Sequence, residues 1–193
     1  MSIAALFADF RDYLDLRPEP ELRDFVEGFD WSCTQRSLTP NTLPISRELA
    51  PAAQNSAGAE QRLLKSLLAN VDKLTWGQSY TAADFGQSFI DNYGFVEMLG
   101  TRGHFDARDM AGGFFVMGPM QHYPSHHHVA EEIYIPLTDG SYWMRDNGAF
   151  ERRARGEIIH HASNEAHAME TPDAPLVALY LWRNGDLAQK PDY

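Results

Sequence analysis

The residues of this chain best suited to chemistry lie in one short run, His126-His127-His128-Val129-Ala130-Glu131-Glu132-Ile133-Tyr134. In an extended segment side chains alternate between two faces. The even-numbered His126, His128, Glu132 and Tyr134 then share one face, and His127, Glu131 and Ile133 point away. Neutral imidazoles with a carboxylate are the donor set for one divalent transition metal ion, Fe, Mn, Ni or Zn. A run of three histidines alone is most often a solvated surface feature. Glu132, at the right offset on the same face, is what separates this run from that bland case. The remaining His104, His122, His160 and His161, together with His127, are expected to be surface or hydrogen-bonded residues, not ligands.

The spacing His-x-His-x-x-x-Glu is similar to the first motif of the cupin family, and Gly140 lies one residue past the place of that motif's closing glycine. The second cupin motif opens on a glycine and places a histidine eleven residues on, an interval that Gly156 and His167 keep. This resemblance implies a mainly β fold, a double-stranded β-helix or jelly-roll barrel, with metal ligands His126, His128, Glu132 and His167. The turn-forming positions depart from the pattern. Met120 stands in place of the opening glycine, Ala162 and Asn164 replace the second motif's proline and glycine, and Thr171 replaces its final asparagine.

The flanking segments HYPSHHHVAEEIY and HAMETPDAPLVALYLW resemble the cupin-type lyases of dimethylsulfoniopropionate (DMSP). The resemblance extends more loosely to the total length and to the first half of the chain. It implies a catalytic Tyr134, a second tyrosine at Tyr123 with a catalytic or substrate-binding role, and a substrate-binding tryptophan at Trp182. The implied reaction is a metal-dependent β-elimination giving acrylate and dimethyl sulfide. A metal-bound carboxylate stabilises the enolate-like species formed as the α-proton leaves, and aromatic faces attract the sulfonium. An ordinary tyrosine, with a pKa near ~10, is a poor base at neutral pH, so Tyr134 needs a nearby dication to favour its phenolate. The same four ligands would equally serve a cupin dioxygenase or isomerase acting on another small carboxylic acid, or a non-catalytic ligand-binding cupin. The non-chemical alternative for Tyr134 is a half-buried strand aromatic, for Tyr123 a brace for the histidine loop, and for Trp182 and Met169 packing.

The elements that must position these groups change character near residue 104. Before it, Ile3, Leu6, Phe7, Phe10 and Leu14 recur at helical spacing until Pro18 and Pro20. A short helix is expected from about Glu21 to Phe29, loop with a turn of helix over 33–58, a helix over Ala59–Asn70 and another over Ala82–Tyr93. After Gly103, β-favouring runs alternate with turn signals, among them the hairpin signal Asp146-Asn147-Gly148. The expected organisation is a helical N-terminal region, 1–104, packed on a β-barrel, 105–193, that carries the metal site. The outward apolar positions Ile133, Ile135 and Leu137 are its expected docking surface for the helices.

Composition narrows the partners. A formal net charge of −11 and no basic stripe argue against nucleic acid and against an anionic membrane. The single Cys33 allows no intramolecular disulfide and no Cys-rich zinc site. No basic leader precedes the first apolar residues, so a cytoplasmic location is expected. The expected partner is a small zwitterionic or carboxylate substrate. Pairing of exposed sheet edges would make a homodimer the self-associated form.

Overall fold

Helix α1 (Ile3–Asp15) begins where the Ser2 side chain accepts a hydrogen bond from the Ala5 N–H at 3.1 Å, satisfying one of the donors that a helix start leaves free. Its apolar stripe, Leu6, Phe7, Phe10, Tyr13 and Leu14, is buried. Helix α2 (Pro20–Val26) follows, then α3 (Leu49–Gln54), α4 (Gly58–Leu68), α5 (Ala82–Phe85) and α6 (Gln87–Ile90). Leu63, Leu64 and Leu67 form the buried stripe of α4. The computed structural model describes residues 1–193, and none of its helices is long and apolar enough to cross a membrane.

Twelve strands follow the order β1 (Thr34–Gln35), β2 (Trp76–Gly77), β3 (Tyr93–Gly100), β4 (Phe105–Asp106), β5 (Met110–Met117), β6 (Gln121–His126), β7 (Glu131–Pro136), β8 (Tyr142–Arg145), β9 (Glu151–Arg152), β10 (Ile159–His161), β11 (His167–Thr171) and β12 (Leu176–Arg183). The larger sheet runs β1-β4-β3-β5-β12-β7-β10, with β2 also on β3; the smaller runs β6-β11-β8-β9. All neighbours are antiparallel except β3 with β4.

Period-two alternation on the central strands creates two cores. Val177, Leu179 and Leu181 of β12 join Ile133 and Ile135 of β7 in one apolar cluster with Leu6, Phe10, Leu64 and Leu67 of the helices. Ala178 and Tyr180, on the opposite face, join Tyr134 and Phe115 in a second cluster with Tyr123, Trp143 and Met169 of the smaller sheet. Helices therefore cover one face of the larger sheet and the smaller sheet covers the other. Ile133, Ile135 and Leu137 form part of the helix-facing surface, as their alternation with the polar positions implied.

The expected boundary at residue 104 does not coincide with an edge of the fold. Strand β3 lies before it, runs along β5 from Tyr93↔Met117 to Leu99↔Gly112, and shares its cores. The helix expected over Ala82–Tyr93 is two short helices broken at Gly86 (φ 82°), and Tyr93 begins the strand instead. The 33–58 stretch, expected as loop with a turn of helix, carries α3 and also the two-residue β1, which an irregular composition concealed.

The departures from the glycine pattern leave the backbone unchanged in kind. Met120 and Asn164 take φ of 57° and 59°, the left-handed region that glycine enters freely. Asn tolerates it through its short polar side chain, whereas for Met it costs on the order of 1 kcal/mol. Asp146 and Asn147 are likewise left-handed, with the Gly148 N–H donating to the Arg145 carbonyl, and this turn joins β8 to β9.

Candidate active site

Register brings the chemistry together. In the larger sheet Glu132 of β7 lies opposite Trp182 on β12 and opposite His161 on β10, while Tyr134 lies opposite Tyr180 and Ile159. In the smaller sheet His167 of β11 lies opposite His126 of β6. His128 sits between β6 and β7 and completes the group. All four ligand candidates are at most 3% exposed, and one ring nitrogen of each of the three histidines lies within 4.8 Å of the others.

The imidazoles are locked in one tautomer by the backbone. His126 Nδ1–H donates to the Pro124 carbonyl at 2.9 Å, His128 Nδ1–H to Ala130 at 2.8 Å and His167 Nδ1–H to Glu165 at 2.9 Å. A carbonyl can only accept, so each Nδ1 holds the proton and each Nε2 presents a lone pair. Two of those nitrogens, on His128 and His167, face Glu132 Oε2 at 3.0 and 3.3 Å. Ring nitrogens this close to a carboxylate oxygen in a buried site require a positive charge between them, a proton on His128 or a metal ion. Donor atoms about 2.1 Å from an ion lie about 3.0 Å apart at right angles and about 3.4 Å apart at the tetrahedral angle, a range that spans the two observed separations. The donor set therefore fits a divalent cation, and His167 Nε2, buried with no hydrogen-bond partner, is the atom most in need of one.

The electrostatics agree. Burial holds the His126 imidazole well below its ordinary pKa, and the neighbouring His167 adds to this, so His126 is neutral at pH 7. Burial alone would raise Glu132 and lower His128, but without an ion a proton on His128 Nε2, donated to Glu132, reverses both shifts, and His167 also helps to hold the Glu132 carboxyl ionised. The other oxygen of Glu132, Oε1, accepts from Trp182 Nε1–H at 2.6 Å, and the Trp182 ring lies 4.1 Å from that of His128. One side chain thus orients two ligand candidates.

The cluster opens on a pocket, partly exposed to solvent, whose wall includes His126, Glu132, Tyr123, Tyr134 and Trp182. Tyr134 is pushed well above its ordinary pKa, first by burial and then by the charge of Glu132. Tyr123 is raised by burial and by Tyr93, and its ring packs 4.3 Å from His126. Met169 is fully buried in the interior cluster and belongs to the packing.

His161 departs from the expectation of a surface or hydrogen-bonded residue. It is 0% exposed, both its ring nitrogens lack partners, and it stacks on His167 at 4.1 Å with the planes 13° apart. Burial pushes its pKa down to about 3. His104 is buried too, its Nε2 accepting from the Thr75 N–H at 3.1 Å, whereas His122 is exposed.

Two facing sheets that close around three imidazoles and a carboxylate make this fold a cupin. The family model for dimethylsulfoniopropionate lyase matches residues 28–178, and the chain belongs to that family of carbon–sulfur lyases. It is 30% identical over 173 residues to the dimethylsulfoniopropionate lyase DddQ of Ruegeria pomeroyi, covering 90% of this chain and 85% of that one. The crystal structure of DddQ from Ruegeria pomeroyi superposes with a TM-score of 0.88 at 28% identity, covering 98% of this chain and 94% of that one. A chain from the crystal structures of the DMSP lyases RdDddP and RnDddQII gives 0.89 at 26% identity, covering 98% and 95%.

Proposed function

We propose that the chain is a metal-dependent lyase that cleaves DMSP to acrylate and dimethyl sulfide, with His126, His128, Glu132 and His167 holding the ion. The observation that carries this reading is the meeting of the backbone-locked His128 and His167 Nε2 atoms at Glu132 Oε2, with His126 grouped beside them, at the wall of a cavity that Tyr134 also lines. Bound there, a divalent ion supplies Lewis-acid chemistry, neutralising the substrate carboxylate, stabilising charge developing at the α-carbon and favouring a nearby phenolate.

The chain's own residues do the rest. Tyr134 Oη takes the α-proton. The C–H pair becomes the new double bond, and the β-carbon–sulfur pair leaves on sulfur, so the sulfonium departs as neutral dimethyl sulfide. Glu132 fixes its carboxylate through two separate contacts, Oε1 to Trp182 and Oε2 to the imidazoles. Tyr123 and Trp182 offer ring faces along the path of the sulfonium before it leaves as neutral sulfide, and the apolar walls keep water from the developing carbanion.

Headspace detection of dimethyl sulfide from purified protein given DMSP, with and without a chelator, tests the reading. Release that stops on chelation and resumes on adding a divalent metal is the expected result. Undiminished release from protein stripped of metal would remove the ion from the mechanism, and no release at any metal loading would remove the substrate.

A further inference from the structure

The cavity has a second charged end. On the inner face of the larger sheet, Glu97 of β3, Gly113 of β5, Tyr180 of β12 and Tyr134 of β7 form one row of cross-strand neighbours. Three strand spacings of ~4.8 Å place the Cα of Glu97 about 14 Å from that of Tyr134. Gly113 is required where it is, because a Cβ would collide with the Val96 carbonyl oxygen. The cavity lies along this row, bordered by the metal-ligand cluster at one end and by Glu97, Arg102 and Phe95 at the other.

Glu97 is 7% exposed. Its Oε1 accepts from the Arg102 N–H at 2.8 Å, and its Oε2 faces Arg102 Nε at 3.5 Å. The Arg102 side chain is itself 55% exposed, so water screens the cation while the carboxylate stays buried. Burial pushes the Glu97 carboxyl above its ordinary pKa, against the lowering effect of Arg102 and of the Arg102 and Gly103 backbone N–H groups. The Phe95 and Tyr180 rings meet edge to face 6.4 Å apart beside it. A buried carboxylate between aromatic rings is a binding site for a weakly hydrated cation.

We propose that Glu97, Phe95 and Tyr180 form the cation end of the substrate cavity, and that Glu97, tempered by Arg102, sets the preference for a charged over a neutral β-substituent. This deepens the lyase reading and rests on it, since the sulfonium is the cation concerned. A substrate held by its carboxylate at the ligand cluster projects its β-substituent along the cavity towards Glu97, Phe95 and Tyr180. There the methyl groups of an onium ion meet ring carbon and its charge meets Glu97.

Calorimetric binding of two isosteres to metal-loaded protein at pH 8 tests this. The probes are 3-(trimethylammonio)propionate, whose amine leaves too slowly to interfere, and the uncharged 4,4-dimethylpentanoate of the same shape. Glu97→Gln should weaken the cationic probe roughly tenfold, the size of a unit-charge interaction across a partly solvated cavity. The neutral probe should change less than twofold. Arg102→Gln removes the competing cation but keeps the backbone N–H that holds Glu97, and it should tighten the cationic probe. Equal shifts for both probes in Glu97→Gln, or none, would overturn the proposal. So would an Arg102→Gln variant that loses the cationic probe as Glu97→Gln does, because a purely structural pair behaves that way. Dimethyl sulfide release from DMSP is read separately, so failure of the lyase reading has its own signature.

Discussion

Replacing Trp182 with Phe separates two roles that one side chain combines. The ring of Trp182 lies 4.1 Å from the His128 ring, and its Nε1–H donates to Glu132 Oε1 at 2.6 Å in a site where Glu132 is 1% exposed. Phenylalanine keeps an aromatic face beside His128 but leaves Oε1 without its donor. A hydrogen bond to a buried charged group contributes about 1.5–3 kcal/mol. Most of that should appear as lost orientation of a metal ligand, because the other carboxylate oxygen is the one aimed at His128 and His167. At about 1.4 kcal/mol per tenfold, metal affinity should fall roughly 10- to 100-fold, the range typical of lost contacts behind a ligand. Competition against a chromophoric chelator measures this directly, and kcat with saturating metal should recover most of its wild-type value. If Trp182 served only to hold the sulfonium, Trp182→Phe would raise KM and leave metal affinity within about threefold of wild type. That result would refute the orienting role.

Tyr134→Phe should abolish dimethyl sulfide release while leaving metal content unchanged by elemental analysis; full activity would remove Tyr134 as the base. Leu179→Ala opens a void on the helix-facing side of β12, where Leu179 is 0% exposed, and should cost about 2–5 kcal/mol in denaturant unfolding. Since the ligands occupy the opposite face, the folded variant should keep its metal. Removing the metal should lower Tm, because an ion present at about 1,000 times its Kd contributes roughly 4 kcal/mol; an unchanged Tm would contradict a site that couples to folding. Burial raises the Glu97 carboxyl above its ordinary pKa, so its contribution to stability is greatest below the ordinary carboxylate range and declines as pH rises through the folded-state value. The stability of Glu97→Gln relative to wild type should therefore improve from pH 4.5 towards pH 7, as read by thermal melts.

Alternation along one strand made half of the candidate site legible before any fold was known. Glu132 and Tyr134 face inward and Ile133 and Ile135 outward, as period two dictates, and the interval from Gly156 does bring His167 beside His126. Strand β3 was misread because Phe85, Phe89, Ile90 and Tyr93 satisfy helical spacing, while Gly86 and the pairing of Tyr93 with Met117 decide the outcome through tertiary contact. His161 escaped notice because its partner is set by register: nothing in Glu157-Ile158-Ile159-His160-His161 announces that His161 lies across from Glu132. The tautomer locks were equally hidden. Their acceptors are the carbonyls of Pro124, Ala130 and Glu165, and any residue type supplies a carbonyl.

What the helices contribute to the chemistry follows from the same alternation. A strand that turns Glu132, Tyr134 and Tyr180 inward must turn Ile133, Ile135, Leu179 and Leu181 outward, and an antiparallel sheet with both faces apolar or reactive cannot leave either to water. Fully burying one such aliphatic side chain contributes about 1.5–3 kcal/mol. That gain on the helix side offsets the cost of desolvating a carboxylate, several tyrosines and four imidazoles on the other. The first half of the chain carries no residue of the ligand cluster, yet it covers the hydrophobic face that lets the neighbouring face hold charge. It also supplies β3, and with it Glu97 at the far end of the cavity.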